Sequence, residues 1–158
     1  MSMPAILERY PQAYLYILGE GKEERKLLEL SKKLKIEKNF KILKNVEVAA
    51  FLKSLDIFCL PSLEEPLGLS VIEAQYFGLP CIVSSVGGLP IIVKHLHTGL
   101  HILPKDHLKI TEAVELLLEN SGLKEKISKS SYKQVIEKFD FSRKIDKFIK
   151  IYEKALKP

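Results

Sequence analysis

Apolar positions along the chain fall in short runs separated by longer amphipathic stretches. Ala13-Tyr14-Leu15-Tyr16-Ile17-Leu18 is apolar and aromatic and is closed by Gly19-Glu20-Gly21, which predicts a buried strand and a turn. Residues 22–35 set Leu27, Leu30 and Leu34 at helical spacing among charges. Phe40 to Leu43 is a second strand. Asn45 is placed to cap a helix from Val46 to Leu55, with Val48, Phe51, Leu52 and Leu55 on its apolar side. Ile57 to Leu60 is a third strand, stopped by Pro61-Ser62. A helix from about Leu67 to Phe77 ends at Gly78, a residue suited to closing a helix. Pro80 to Ser84 and Leu100 to Leu103 are the fourth and fifth strands. Asp106 caps a helix to about Glu119, and residues 122–138 and 142–156 are two further amphipathic helices.

Short, fully apolar strands alternating with helices predict an α/β fold: a Rossmann-like parallel sheet with helices on both faces. The chain has 158 residues, which makes one domain over 1–158 with the helices 122–156 at its end. Sheets of this kind bind ligands at the carboxyl ends of their strands. Three loops directly follow strands there: Gly19-Glu20-Gly21, Pro61 to Gly68, and Ser84 to Gly88.

Composition narrows the function classes. Apolar residues are 46% and charged residues 28%, as in globular chains and unlike disordered ones. No apolar run reaches the ~20 residues of a membrane span, and no signal peptide opens the chain. The expected location is cytoplasmic, or peripheral to the inner face of a membrane. The net charge of +5 is unevenly placed: residues 122–158 hold 11 basic and 5 acidic residues, residues 1–121 hold 14 and 15. With 22 Lys against 3 Arg, a solvated helix face explains this basicity better than nucleic-acid binding, which is not predicted. Membrane contact by these helices is conceivable but not predicted. Cys59 and Cys81 lie in apolar runs and read as buried free thiols. His95, His97, His101 and His107 lack the spacing of a structural zinc site, and no metal is expected.

The loop Pro61-Ser62-Leu63-Glu64-Glu65-Pro66-Leu67-Gly68-Leu69 carries the most chemistry. Pro66 and Gly68 mark a helix entry, and Gly68 allows close approach of a ligand to the backbone. The first amides of the helix and its dipole favour an anion. Glu65 stands just before the helix and Glu73 about two turns inside it. Two carboxylates beside an anion site suit a ligand with sugar hydroxyls and phosphates. The same glutamates also fit a solvated surface.

The runs Asp56-Ile57-Phe58-Cys59-Leu60-Pro61-Ser62, Glu65-Pro66-Leu67-Gly68-Leu69, Val71-Ile72-Glu73-Ala74, Gly78-Leu79-Pro80 and Val86-Gly87-Gly88-Leu89-Pro90 resemble the donor-binding, C-terminal half of GT-B retaining glycosyltransferases, family 4 or group 1. That group includes sucrose synthases and mannosyltransferases of lipid and polysaccharide assembly. The resemblance covers about residues 5 to 155. It implies that Glu73 holds the ribose hydroxyls of a nucleotide-sugar and that Glu65 sits by the transferred sugar. Backbone amides at Leu67, Gly68 and Leu69 would meet sugar and phosphate. Gly19 and Gly21 match the first glycine loop, and Gly87 and Gly88 would form a wall of the cleft. Transfer would proceed with retention and without a metal. The absence of an Asp-x-Asp pair agrees with that.

The sequence also departs from the pattern. Ile91 stands where the family usually has Glu, and Lys44 where it often has Gly. The strand that opens the family's half-domain, with its basic pair for the pyrophosphate, has no counterpart, which removes the middle of the expected sheet. The acceptor-binding N-terminal half has none either. The expectation is a donor domain that is inactive alone and needs an N-terminal acceptor domain or a partner chain. A non-catalytic nucleotide-sugar-binding module, or a subunit of a split transferase, is the alternative.

Overall fold

The computed structural model describes residues 2–140 and 145–156. The elements are α1 (Ser2–Arg9), β1 (Leu15–Leu18), α2 (Glu24–Lys33), β2 (Phe40–Leu43), α3 (Val48–Lys53), β3 (Phe58–Leu60), α4 (Leu69–Tyr76) and β4 (Cys81–Ser84). They continue as α5 (Leu89–Ile92), β5 (Leu100–Ile102), α6 (His107–Glu119), α7 (Ser121–Lys138) and α8 (Ile145–Ala155). All five strands anticipated from the apolar runs form. Every strand pair is parallel, as helical crossovers between successive strands require.

The strands make two sheets, β1-β2 and β3-β4-β5. Loss of the middle of the sheet was the expectation, and the division falls between β1 and β3. Burial follows the same line. All four residues of β4 are buried, whereas β1 and β3 are half-buried or, at Leu15, exposed.

Strand alternation divides the core between the two faces of β4. Cys81 and Val83 join Phe51, Leu52, Val71, Ala74, Leu79, Leu89, Ile92 and Val93. Ile82 points the other way, into Leu100, Ile102, Ala113, Leu117 and Ile127. Helices α3, α4 and α5 cover the first face, and α6 and α7 supply the second. Phe139, at the end of α7, packs on the first cluster.

Helix starts follow capping chemistry, with one correction. Asp106 and Asn120 cap α6 and α7, accepting the amides of Lys109 at 3.0 Å and Leu123 at 2.8 Å. Asn45 is not the cap of α3. It takes a left-handed conformation at φ +53, which Asn tolerates, and turns the chain out of β2. Glu47 caps instead, its carboxylate accepting from Ala49 at 2.9 Å and Ala50 at 2.6 Å. Helix α5 escapes the periodicity argument because it is only four residues long. Of the second terminal helix, 145–155 forms as expected, while residues 142–144 lie outside the described residues. Its Ile145, Phe148, Ile149 and Tyr152 stand exposed. Among the described residues, no helix is long and apolar enough to cross a membrane.

Candidate functional site

The site begins at the carboxyl end of β3. Pro61 to Gly68 leads into α4, whose N-cap is Gly68 at φ +83. The Glu65 carboxylate folds back onto that turn, and its Oε1 accepts the Gly68 amide at 2.9 Å. A side chain thereby satisfies one of the amide donors that a helix start leaves open. Glycine at position 68 is required for a second reason: a Cβ there would stand 2.5 Å from Leu89 Cδ2. Gly68 is buried. Its lack of a side chain leaves room for Leu89, and its amide is engaged by Glu65.

The loop after β4 packs on the same turn. Gly88 donates its amide to the Glu65 carbonyl at 3.1 Å. A Cβ at Gly87, where φ is +51, would fall 2.0 Å from the Glu65 carbonyl oxygen, and one at Gly88 would fall 2.4 Å from that of Pro66. These glycines let two backbones touch. An open cleft of about 340 Å³ lies over the junction, lined by Leu63, Glu64, Glu65, Pro66, Val86 and Gly87.

The structure thus brings Glu65, Gly68, Gly87 and Gly88 together and puts Glu65 and Gly87 on the cleft. Leu67 and Leu69 flank the turn with exposed side chains. Glu73 is exposed on α4 and does not line the cleft. Gly19 and Gly21 are exposed after β1, with open space where a side chain would stand, and they too lie outside the cleft lining. Glu64 and Leu63 do line it, and sequence reasoning passed over them. The Glu64-Glu65 pair in a loop directly after a strand was the available signal.

Nearby groups define the electrostatics. Lys44, at the carboxyl end of β2, pairs with Glu24 at 2.7 Å, and that hydrogen bond holds its ammonium above the usual lysine range. Ser84 Oγ, at the end of β4, is buried with no partner among the described residues. The Cys59 thiol is pushed up to about 12 by burial, and Cys81 is raised further by the same cause, so neither is a thiolate near neutrality. His95 Nδ1 accepts the His101 amide at 3.0 Å, and His101 Nε2 meets the Val93 carbonyl at 2.8 Å. Among the described residues, no group of three His, Cys, Asp or Glu is placed to hold a metal.

Comparison with known proteins places the arrangement. The family model for glycosyl transferases group 1 matches residues 2–134. An uncharacterized glycosyltransferase of Methanocaldococcus jannaschii is 33% identical over 98% of this chain, which spans 40% of that relative. Among solved structures, HepE of Anabaena in complex with UDP-glucose superposes with a TM-score of 0.86 at 20% identity, over 98% of this chain and 44% of its own. The C-terminal domain of a group 1 glycosyl transferase from Francisella tularensis superposes at 0.78 and 23% identity, over 86% of this chain and 74% of its own. The shared fold is therefore that of the C-terminal half of GT-B enzymes.

Proposed function

This chain belongs to the group 1 glycosyl transferases, and from that premise we propose that it is the donor-binding domain of such an enzyme. The observation that carries the reading is the Glu65 carboxylate, held on the first turn of α4 and lining the cleft beside Gly87. A carboxylate fixed there accepts sugar hydroxyls. The amides that open α4 favour the diphosphate of a nucleotide-sugar. Glu73, further along α4, holds the ribose hydroxyls. UDP-glucose bound by HepE, which shares this fold, supports that class of ligand.

The reaction would break the bond between the sugar's anomeric carbon and the diphosphate. The acceptor hydroxyl would attack from the face that the diphosphate leaves, which retains configuration. No divalent metal is needed in this reading. The acceptor site and the basic groups that stabilise the leaving diphosphate lie outside residues 1–158, so the chain alone binds donor without transferring it.

Calorimetric titration with UDP-glucose, GDP-mannose and ADP-glucose tests this. One nucleotide class should bind, and Glu73→Ala should weaken it at least about tenfold, as the loss of hydrogen bonds to a charged group implies. Glu65→Gln should weaken the nucleotide-sugar more than the free nucleoside diphosphate. Equal binding of all three donors, unchanged by either substitution, would refute the assignment.

A further inference from the structure

A second cavity, of about 290 Å³, opens at the opposite end of the sheet from the cleft at Glu65. It lies where Asp56 leads into β3 and where Leu79 and Pro80 lead into β4. These strands are parallel, so both start on this side and finish on the side of the Glu65 cleft. Helix α4 separates the two places. It begins at the Gly68 turn and ends beside this cavity eight residues later, about 12 Å away.

The lining joins an aromatic row to a polar one. Phe77 belongs to the cavity, Tyr76 meets it edge-on at 5.4 Å, and the Tyr132 ring stands 6.1 Å from that of Tyr76. On α7, Lys124 and Ser128 line the cavity one turn apart, and Tyr132 is one turn further along the same face. Helices α4 and α7 pack together, with Gln75, Ser131 and Val135 buried. The two tyrosines are left at the margin of that packing, 50% and 48% exposed. The cavity and the tyrosines thus form one groove, with aromatic surface open to solvent.

Its charges are near balance. Lys53 lies over the Phe77 ring at 5.7 Å. Lys124 Nζ stands 3.6 Å from Asp56 Oδ1, beyond hydrogen-bonding distance. A hydroxyl between them accepts from the ammonium and donates to the carboxylate. Ser128 Oγ donates to the Lys124 carbonyl at 2.9 Å, which leaves its lone pairs to accept from a second hydroxyl. Helices α3 and α4 both finish here, so their negative ends add to the charge of Asp56. That disfavours a phosphate, and the charged lining disfavours a lipid chain. What fits is a ring with an apolar C–H face and hydroxyls around its edge.

We propose that this groove is an accessory saccharide-binding site, which holds a neutral hexopyranose chain apart from the cleft at Glu65. One sugar ring enters the cavity against Phe77, with hydroxyls on Asp56, Lys124 and Ser128. The next ring lays its C–H face on Tyr76 and Tyr132. Aromatic lining with a few convergent polar groups is the common form of a small-ligand site. The inference does not depend on the donor reading, whose nucleotide titrations succeed or fail separately.

The test is an NMR titration of the isotope-labelled chain with maltohexaose and with cellohexaose. At least one of them should bind with a Kd of about 10 mM or tighter. It should shift the amides of Asp56, Gly78 and Ser128 and leave those of Gly68, Gly87 and Gly88 in place. Tyr76→Ala and Tyr132→Ala, both on the surface, should each weaken binding at least about fivefold, whereas Tyr132→Phe keeps the ring and should bind within about twofold of the natural chain. Asp56→Ala should also weaken it at least about fivefold. The proposal is overturned if neither sugar shifts the groove amides at about 10 mM, or if the shifts centre on Gly68 and Gly87. It is equally overturned if the two tyrosine-to-alanine changes leave affinity unchanged, or if inorganic phosphate or uridine monophosphate shifts the groove amides more strongly than either sugar.

Discussion

Gly87→Ala tests the claim that the two glycine-bearing loops are locked by backbone contact. The new Cβ would lie 2.0 Å from the Glu65 carbonyl oxygen and 2.9 Å from its carbonyl carbon. An ordinary carbon–oxygen contact is about 3.3 Å, so the loops must part by about 1.3 Å. That movement stretches the 3.1 Å bond from the Gly88 amide to Glu65 beyond hydrogen-bonding range. Leaving a buried donor unpaired costs about 1–3 kcal/mol. Holding an alanine at φ +51 adds about 1–2 kcal/mol. Together these predict a loss of roughly 3 kcal/mol, a large effect for one methyl group.

Two further glycines calibrate that figure. Gly19→Ala meets open space but keeps φ at +138, so only backbone strain remains, about 1 kcal/mol. Gly21→Ala has neither penalty and should be neutral within about 0.5 kcal/mol. Urea unfolding followed by circular dichroism ranks the three. With a slope of about 2 kcal/mol/M, Gly87→Ala should lower the midpoint by about 1.5 M. A shift for Gly87→Ala no larger than that for Gly21→Ala would show that the loops are not interlocked.

Three other outcomes follow from the packing. Ile127→Ala empties a fully buried position between α7 and the β4-β5 face and should cost about 2–5 kcal/mol in the same unfolding assay. Glu47→Ala removes the acceptor of two α3 amides and should cost about 1 kcal/mol, with Glu47→Asp restoring part of it. Cys59 has its folded pKa raised from 9.0 to about 12, so the folded state holds the thiol proton more tightly than the unfolded state. That contribution to stability is complete below about pH 9 and should fall by up to about 1.4 kcal/mol per pH unit between there and about pH 12. Cys81, raised by the same burial, adds a like slope over this range, so Cys59→Ser should remove about half of the combined slope, and an unchanged slope would refute the assignment.

The strands were legible in the sequence because each is a short, mostly apolar run, with Gly19, Pro61, Pro80 and Pro104 punctuating all but β2. A helix start was legible where the cap was Asp with no competing demand, as at Asp106. Asn45 misled because the same residue type also suits left-handed turns, and Glu47 two positions on could reach the amides. Helix α5 left no periodic trace in four residues. The division into two sheets depends on hydrogen-bond partners distant in sequence, and only the resemblance to a longer fold gave notice of it. At the site, the pattern from Glu65 to Gly88 marked two loops that the fold packs together, but not what each glycine packs against. Gly68 read as room for a ligand, and the fold also sets Leu89 against it, a contact that only tertiary packing decides.

That distinction bears on how the site works. A carboxylate on a free loop would spend binding energy on becoming ordered. Here Glu65 is restrained twice: its side chain is tied to the Gly68 amide, and its carbonyl is tied to the Gly88 amide. Gly87 and Gly88 permit the second tie by letting the backbones meet. Leu89, one residue on, presses on Gly68 and couples the start of α5 to the start of α4. The glycines that sequence reading places on a cleft wall therefore set the position of the carboxylate. In the donor reading, the loop after β4 fixes the sugar-binding group before any ligand arrives. A substitution at Gly87 should then change donor affinity through Glu65, and combining it with Glu65→Ala should give less than the sum of the two separate losses, as coupled residues do.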